Sequence, residues 1–198
     1  MSPRAPAMAP DARREALVDV TLRLMREHGS NVTTKQIAEA AGVAEGTIFR
    51  VVDTKDELLE AAVQRAFEPG DLVQRIEEID ADLPLEQRLL SLVAILQQRF
   101  RATFSLMRKV GLVRPPDHVH DDPAAAQWRA RLRLLLHGVV GADADRLACP
   151  VDEFVHTLRL LTFAGSHEHI ADGHLLSPEQ IVSTVLHGLL RPVDQKDH

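Results

Sequence analysis

Three basic side chains, Lys35, Arg50 and Lys55, fall within one short stretch of the chain, which reads TTKQIAEAAGVAEGTIFRVVDTKDELL over residues 33–59. Ammonium and guanidinium groups donate charge-assisted hydrogen bonds to phosphate oxygens, so a surface that carries them can bind a polyanion. Such binding is specific only when rigid elements hold the groups in fixed positions. The residues around the three cations must therefore form such elements.

The first part of this stretch predicts a short helix. Thr33 and Gln36 have the spacing of a capping box, in which each side chain hydrogen-bonds to the backbone amide of the other residue. Ile37, Ala38 and Ala41 then recur at helical spacing, which gives the helix one narrow apolar side.

The second part predicts a tight corner and two more helix starts. Gly42 supplies the left-handed residue that ends the first helix, and Val43 fills the corner. A very short helix follows at residues 46–49, and Thr54 has the character of a further N-cap. This is the layout of a helix-turn-helix, whose second helix enters the major groove of DNA. An ordinary three-helix packing unit is the alternative that the short loops alone leave open.

The stretch resembles the TetR (tetracycline-repressor-like) family of transcriptional regulators. The matching pattern is T-x-x-x-I-A-x-x-A-G-V-x-x-G-T-I-F-R-x-V-x-x-K-x-E-L-L over residues 33–59, and the rest of the chain is similar only in length, helical character and helix order. The resemblance implies an all-α fold, with an N-terminal three-helix helix-turn-helix DNA-binding domain and a larger C-terminal helical ligand-binding and dimerisation domain. It further implies a homodimer that represses transcription until a small molecule binds.

The resemblance also implies a role for individual residues. Arg50 would read guanine, Glu45 would accept from the amino group of cytosine, and Lys55 would hold a phosphate. Ile48 and Val52 are predicted to be core residues. The full set of predicted DNA-binding residues is Thr33, Thr34, Lys35, Glu45, Gly46, Thr47, Phe49, Arg50 and Lys55.

At three positions the chain departs from the family pattern. Ala44 stands where the family usually has a serine or threonine cap, Phe49 where it usually has tyrosine, and Val51 where it often has histidine. Each change removes a polar side chain from the region that is expected to contact DNA. The predicted fold is unaffected, but the affinity and the bases that are read become less predictable.

Composition agrees with a cytoplasmic DNA-binding protein. Residues 1–67 carry nine Lys and Arg against ten Asp and Glu, so most of the net charge of −6 lies in the remainder of the chain. The single cysteine, Cys149, excludes an internal disulfide framework and suits a reducing compartment. The sequence contains no signal peptide core and no apolar run long enough to span a membrane.

The periodicity predicts helices throughout and no strand. A disordered arm over residues 1–10 precedes the helix-turn-helix domain at 11–54, a connecting helix covers 55–68, and the C-terminal domain covers 69–198. Within that last domain we expect a long helix from Leu83-Pro84 to Pro115-Pro116, interrupted near Arg101, and final helices over residues 151–170 and 178–190.

The last two helices carry more apolar residues than one core requires, which leaves two interpretations open. They belong either to the internal core or to a four-helix seam between two subunits, and the resemblance favours the seam. The predicted seam residues are Phe154, Leu158, Leu161, Gly165, Ile181, Val182, Val185, Leu186 and Leu189.

A second group of apolar residues is interpreted either as plain core or as the lining of an effector pocket. A lining of this kind favours a hydrophobic or aromatic ligand over a sugar or a nucleotide. The predicted pocket residues are Leu96, Phe100, Phe104, Met107, Trp128, Leu132, Leu135, Phe163 and His167.

No cofactor or metal is predicted. The cluster Asp117, His118, His120, Asp121 and Asp122 has ligands that suit zinc or nickel, but a solvated loop is the preferred interpretation. The sequence has no P-loop, dinucleotide fingerprint, HExxH or nucleophile elbow, so we do not expect an enzyme. A DNA-binding protein of the same fold without a small-molecule effector remains the alternative function.

Overall fold

The structure is a computed structural model that describes residues 9–116 and 123–189. Within these residues all regular secondary structure is helical, so the prediction of an all-α fold is confirmed. The α-helices are α1 (Pro10–His28), α2 (Thr34–Ala41), α3 (Glu45–Ile48), α4 (Lys55–Phe67), α5 (Leu72–Glu77), α6 (Leu85–Val110), α7 (Pro123–Val140), α8 (Val151–Gly165) and α9 (Pro178–His187). Short 3₁₀ turns follow α1 at Gly29–Asn31 and α7 at Gly141–Arg146. No helix in the described ranges is long and apolar enough to cross a bilayer.

The chain forms two compact units. Of the described residues, 9–68 and 103–116 belong to the first unit, and 69–102 and 123–189 belong to the second. The division after Glu68 coincides with the predicted end of the connecting helix. The last part of α6, predicted as part of the C-terminal domain, belongs to the first unit instead, because Leu106 is buried in that unit's core.

The core of the first unit is built from one apolar side of each helix that forms it. These side chains are removed from water almost completely, and their burial is the main contribution to the stability of so short a group of helices. The largest of them are Leu17, Met25, Ile37, Ile48 and Leu58.

Gly29 makes the close approach of α6 to α1 possible within the first unit. Its φ of 67° lies in the region that side chains rarely adopt, and a Cβ built on it would be 2.6 Å from the carbonyl oxygen of Lys109. Around this point the Lys109 ammonium donates to the carbonyl of Arg26, and the Ser30 hydroxyl donates to the carbonyl of Val110 at 3.4 Å. Only glycine fits this position without moving backbone.

The second unit has its own apolar core, which α6 crosses. Arg88 on that helix is 5% exposed and donates to the carbonyl oxygens of Val139 at 2.6 Å and Val140 at 3.2 Å. These carbonyls belong to the last turn of α7, so the guanidinium adds hydrogen bonds at this helix end. Arg88 also pairs with Asp143; the Arg146 side chain, and then Arg88, hold the pKa of that carboxyl below its usual value.

Three helix ends differ from the predictions. α6 runs through Arg101 without the predicted break and ends at Val110, before the prolines. α8 ends at Gly165 rather than Ile170, because the chain returns there and the Leu176 amide donates to the Gly165 carbonyl at 3.0 Å. α9 ends at His187, where Gly188 adopts a φ of 70°. Residues 1–8 of the predicted arm lie outside the described residues, and Pro10 is already part of α1.

Candidate nucleic-acid interface

The start of α2 is fixed by a reciprocal pair of hydrogen bonds. The Gln36 amide donates to the Thr33 hydroxyl at 3.2 Å, and the Thr33 amide donates to the Gln36 side-chain oxygen at 2.8 Å. The predicted capping box is therefore confirmed. Because Ile37 and Ala38 are buried, the first turn presents Thr34 and Lys35 to solvent.

A glycine corner sets the direction of α3. Gly42 is left-handed, with φ 67° and ψ 32°, and the amide of Val43 donates to the carbonyl of Ala38 at 3.0 Å. Val43 is half-buried against the core of the first unit, as the sequence indicated. This is the usual termination of a helix by a left-handed glycine, and it turns the chain directly into the next helix.

α3 is only four residues long and depends on tertiary packing. Ala44 provides no side-chain cap, so the first amide interaction is a backbone bond from Thr47 to the Ala44 carbonyl at 2.8 Å. Ile48 is fully buried and Val52 is 3% exposed, which confirms both as core residues. With this side anchored, the opposite side of the α3 region is free for a ligand.

The starts of α2 and α3 are joined by one side-chain contact. The hydroxyl of Thr34 donates a hydrogen bond to Oε1 of Glu45, the first residue of α3. One carboxylate oxygen is thereby occupied, and the other remains available to an external donor. No periodic signal in the sequence links these two residues, and the contact was not predicted.

The start of α4 is the third element of this surface. The Glu57 amide donates to the Thr54 hydroxyl at 3.1 Å, which confirms the predicted N-cap. The Asp53 amide donates to the Glu57 carboxylate at 2.9 Å, and Arg14 of α1 lies 3.3 Å from its other oxygen. The Asp53 amide and then Arg14 hold the pKa of Glu57 below its ordinary value. Lys55, the first residue of α4, is half-buried beside this network.

The predicted DNA-binding side chains are all accessible. Phe49 is 51% exposed although it is apolar, and Arg50 is exposed beside it. Neither Arg50, Lys35 nor Lys55 makes an ion pair within residues 9–116 and 123–189. The residues that are at least partly exposed at the starts of α2, α3 and α4, or just after α3, are Thr33, Thr34, Lys35, Glu45, Gly46, Thr47, Phe49, Arg50 and Lys55. Cations that lack an internal partner, on one compact unit, suit an anionic ligand.

The predicted effector-pocket residues are divided between the two units. Phe100 and Phe163 pack edge to face with ring centroids 5.3 Å apart, and the His167 ring lies 6.5 Å from Phe163. Phe104 and Met107 belong to the first unit. The others belong to the second unit's core: Leu96 is 2% exposed, and Trp128, Leu132 and Leu135 are partly buried against it.

Most of the predicted seam residues are occupied inside one subunit. Five of the nine are already buried within the single chain, which leaves them little surface for a second copy: Phe154, Leu158, Gly165, Ile181 and Val182. Leu161, Val185 and Leu186 are half-buried, and Leu189 is 88% exposed. The accessible apolar residues of α8 are instead Leu160 and Phe163, with exposures of 50% and 39%.

The remaining polar clusters have no assigned role. The Asp and His loop at residues 117–122 lies outside the described residues. His167 and His169 come after the end of α8, with ring centroids 6.0 Å apart. Among the residues that the structure describes, no three potential metal ligands gather in one place. Cys149 is a free, half-buried thiol.

Known proteins resemble this chain both in sequence and in fold. Residues 17–62 match the sequence model of the family described as bacterial regulatory proteins, tetR family. The fold is similar to that of a tetR-family transcriptional regulator from Streptomyces coelicolor, with 22% identity, a TM-score of 0.56, and 91% of this chain and 79% of that chain covered.

Two further solved structures share the fold. The fatty acid degradation regulator FadR from Bacillus halodurans is 16% identical, with a TM-score of 0.58 and coverage of 95% of this chain and 98% of that chain. LfrR from Mycobacterium smegmatis, solved in complex with proflavine, is 20% identical, with a TM-score of 0.53 and coverage of 90% and 97%. Since the matched family consists of regulatory proteins, the expectation that the chain is not an enzyme is confirmed. The matched segment contains most of the helix-turn-helix of residues 33–59, so this chain carries the N-terminal DNA-binding domain of the TetR family of transcriptional regulators within an all-helical fold.

Proposed function

We propose that the chain is a homodimeric repressor that binds a palindromic operator and is released from it by a small, mainly hydrophobic ligand. The observation that carries the proposal is the exposed surface formed by the starts of α2, α3 and α4. On it, Lys35, Arg50 and Lys55 have no ion-pair partner among the described residues, while Ile48 and Val52 anchor the backbone beneath.

Base reading is assigned to the α3 region. Arg50 would donate two hydrogen bonds to a guanine, and the free oxygen of Glu45 would accept from a cytosine amino group. Lys35 and Lys55 would bind phosphates on either side and set the register of the helix in the groove. Because Phe49 lacks a hydroxyl, its ring contributes only apolar contact, for which the thymine methyl group is the natural partner.

Dimerisation is required because three cations from one subunit give a weak interaction with DNA. Two copies double the number of phosphate contacts and read two half-sites separated by about one helical turn, roughly 10 base pairs. The proposed seam uses the exposed apolar side of α8, centred on Leu160, together with the half-buried Val185 and Leu186 of α9.

Ligand release is supported by the open spaces of the second unit. Grooves of about 380, 490 and 600 Å³ are present there, within the range of sites that hold drug-sized molecules. A helical domain without such spaces would have favoured the alternative, a DNA-binding protein of this fold with no small-molecule effector. To release the operator, the ligand must bind more tightly to the state in which the two α3 regions no longer span two half-sites.

Selection of bound sequences from a random DNA library by the purified, full-length protein tests the proposal. An enriched inverted repeat is expected, and its spacing reports the separation of the two α3 regions. Folded, dimeric protein that enriches no sequence at low salt would contradict the operator part of the proposal. The enriched duplex then serves as the probe in a search for compounds that dissociate it.

A further inference from the structure

A groove between α7 and α8 has a composition that is unusual for this acidic chain. It has a volume of about 600 Å³, and its described lining includes three arginines and one carboxylate. The chain as a whole carries a net charge of −6, so this is a local reversal of sign. We call it the arginine groove; its lining residues are Ala126, Arg129, Ala130, Leu132, Arg133, Leu136, Asp152, Val155, His156 and Arg159.

Helical spacing explains why the arginines gather there. Arg129 and Arg133 are four residues apart on α7, so they project from the same side of the helix. On α8 the facing positions are Asp152, Val155, His156 and Arg159, which also recur every three or four residues. The two helices therefore bring basic groups from opposite walls towards one space.

Two arginines of the groove have no partner among the described residues. Arg133 and Arg159 make no ion pair or side-chain hydrogen bond among the residues the structure describes. Asp152 has a partner of its own, because its Oδ1 lies 2.9 Å from Nε2 of His137. The two arginines thus remain available to an anion from outside.

The floor of the groove is apolar. Leu136 is 3% exposed and Val155 is also 3% exposed, and Leu132 is half-buried beside them. No Phe, Tyr or Trp occurs among the described lining residues, so a nucleobase would find no ring to stack on. An apolar floor beneath a basic rim suits a molecule with one anionic end and one hydrocarbon body.

We propose that the arginine groove binds an amphipathic organic carboxylate, whose head group is held by Arg133 and Arg159 and whose apolar part lies on Leu132, Leu136 and Val155. A carboxylate matches the planar, two-donor edge of a guanidinium, and the groove volume suits a medium-sized acid. The regulatory consequence, that this acid is the effector, rests on the proposed function; the binding itself does not.

Decanoate is a suitable probe, and decanol and decyltrimethylammonium are its neutral and cationic counterparts. Binding to the full-length protein is followed by calorimetry and by the emission of Trp128, the only tryptophan of the chain. Decanoate is expected to bind saturably, and at least about tenfold more tightly than either counterpart, because only it uses the guanidinium groups. Equal binding of decanoate and decanol would overturn the proposal.

The double variant Arg133→Gln/Arg159→Gln is expected to lower decanoate affinity at least about tenfold. The double variant Arg133→Lys/Arg159→Lys should lower the affinity by less, because lysine retains the positive charge but lacks the two-donor edge. Arg131→Gln is the matched control: Arg131 is on the same helix but lines a different groove, where it lies 4.0 Å from Glu77. It is expected to change affinity by less than about twofold. An equal loss in the control, or a double variant that becomes monomeric or loses operator affinity without ligand, would overturn the proposal.

Operator release separates this inference from the proposed function. If decanoate binds through the two arginines and also dissociates the operator, both are supported. If it binds in this way but leaves the operator complex intact, the groove assignment holds and ligand-induced release by this acid fails. In a third outcome, decanoate does not bind, and another compound releases the operator equally from wild type and Arg133→Gln/Arg159→Gln. The proposed function would then stand, and the assignment of the arginine groove as a carboxylate site would be wrong.

Discussion

The hydroxyl of Thr34 donates to the carboxylate of Glu45, and this bond joins the first turns of the two helices of the helix-turn-helix. The residues are eleven positions apart, and neither is buried. The bond holds a negative charge at the centre of the surface that is proposed to approach DNA. Such a charge opposes phosphate binding in general and is useful only where a base offers a donor.

Substitution of Glu45 is therefore predicted to separate affinity from selectivity. Glu45→Gln keeps a side-chain acceptor for Thr34 but removes the charge, so affinity for non-operator DNA should rise by about three- to tenfold. Preference for operator over scrambled duplex should fall. Thr34→Val retains the charge but frees the carboxylate, and it should reduce selectivity without raising non-specific affinity. Fluorescence anisotropy with both duplexes at one salt concentration measures these effects; unchanged non-specific affinity in Glu45→Gln would contradict them.

The phosphate contacts are predicted to appear in the salt dependence of binding. Each of Lys35→Gln and Lys55→Gln should reduce the slope of log K against log salt by about 2 per dimer, one counterion for each subunit. The loss of affinity should be similar for operator and scrambled DNA. Arg101→Gln, an exposed arginine of α6 in the second unit, is the control and should leave the slope unchanged. Equal slopes for Lys55→Gln and wild type would remove Lys55 from the interface.

The local features of the fold were predictable because each rests on neighbouring residues. The capping box of Thr33, the left-handed Gly42 and the N-cap Thr54 are all determined within four residues, and the structure has all three. Ile48 and Val52, assigned to the core from the resemblance to the family pattern, are both buried.

Features that depend on distant parts of the chain were not predictable in this way. An amphipathic pattern shows that Leu158 and Ile181 face apolar surroundings, but not whether these belong to the same chain or to a second copy. In the structure both residues are buried in the core of the second unit. Leu106 has the same apolar spacing as the residues before it, yet it lies in the core of the first unit. A long-range contact such as that between Thr34 and Glu45 produces no periodic pattern in the sequence.

Gly29→Ala is predicted to destabilise the first unit by about 2–4 kcal/mol, since it combines an unfavourable φ with a clash against backbone. The new Cβ would lie 2.6 Å from the Lys109 carbonyl, which no side-chain rotation can relieve. Gly138→Ala, within α7 and with no atom within 4 Å of the new Cβ, is the control and should be neutral or stabilising by up to about 1 kcal/mol. Chemical denaturation measures both, and equal effects would show that Gly29 is not required.

The network at the start of α4 predicts an acid-sensitive contribution to stability. The folded-state pKa of Glu57 lies below its ordinary value of 4.5, because the Asp53 amide and Arg14 favour the carboxylate. The stabilisation is therefore complete above about pH 4.5 and is lost as the pH falls through the lower, folded-state value.

Thermal unfolding of Glu57→Gln tests this directly. The variant should melt at a lower temperature than wild type near pH 7, and the difference should shrink as the pH falls through the acid range. Glu60→Gln, one turn further along α4 and exposed, has no hydrogen-bond or ion-pair partner among the described residues and serves as the control. A Glu57→Gln difference that is the same at every pH would show that the carboxylate charge contributes nothing.

The seam on α8 is predicted to depend on Leu160. Leu160→Glu would place a carboxylate without a partner in an apolar interface, so the dimer should dissociate and operator affinity should fall by more than about tenfold as the doubled contacts are lost. Leu134→Glu is the control, because Leu134 is 70% exposed on α7, outside the proposed seam, and should leave the dimer intact. Light scattering coupled to size-exclusion chromatography measures the mass of each variant. If Leu160→Glu remained a dimer with an unchanged dissociation constant, this side of α8 would be excluded from the seam. If Leu134→Glu became monomeric, the seam would have to include α7.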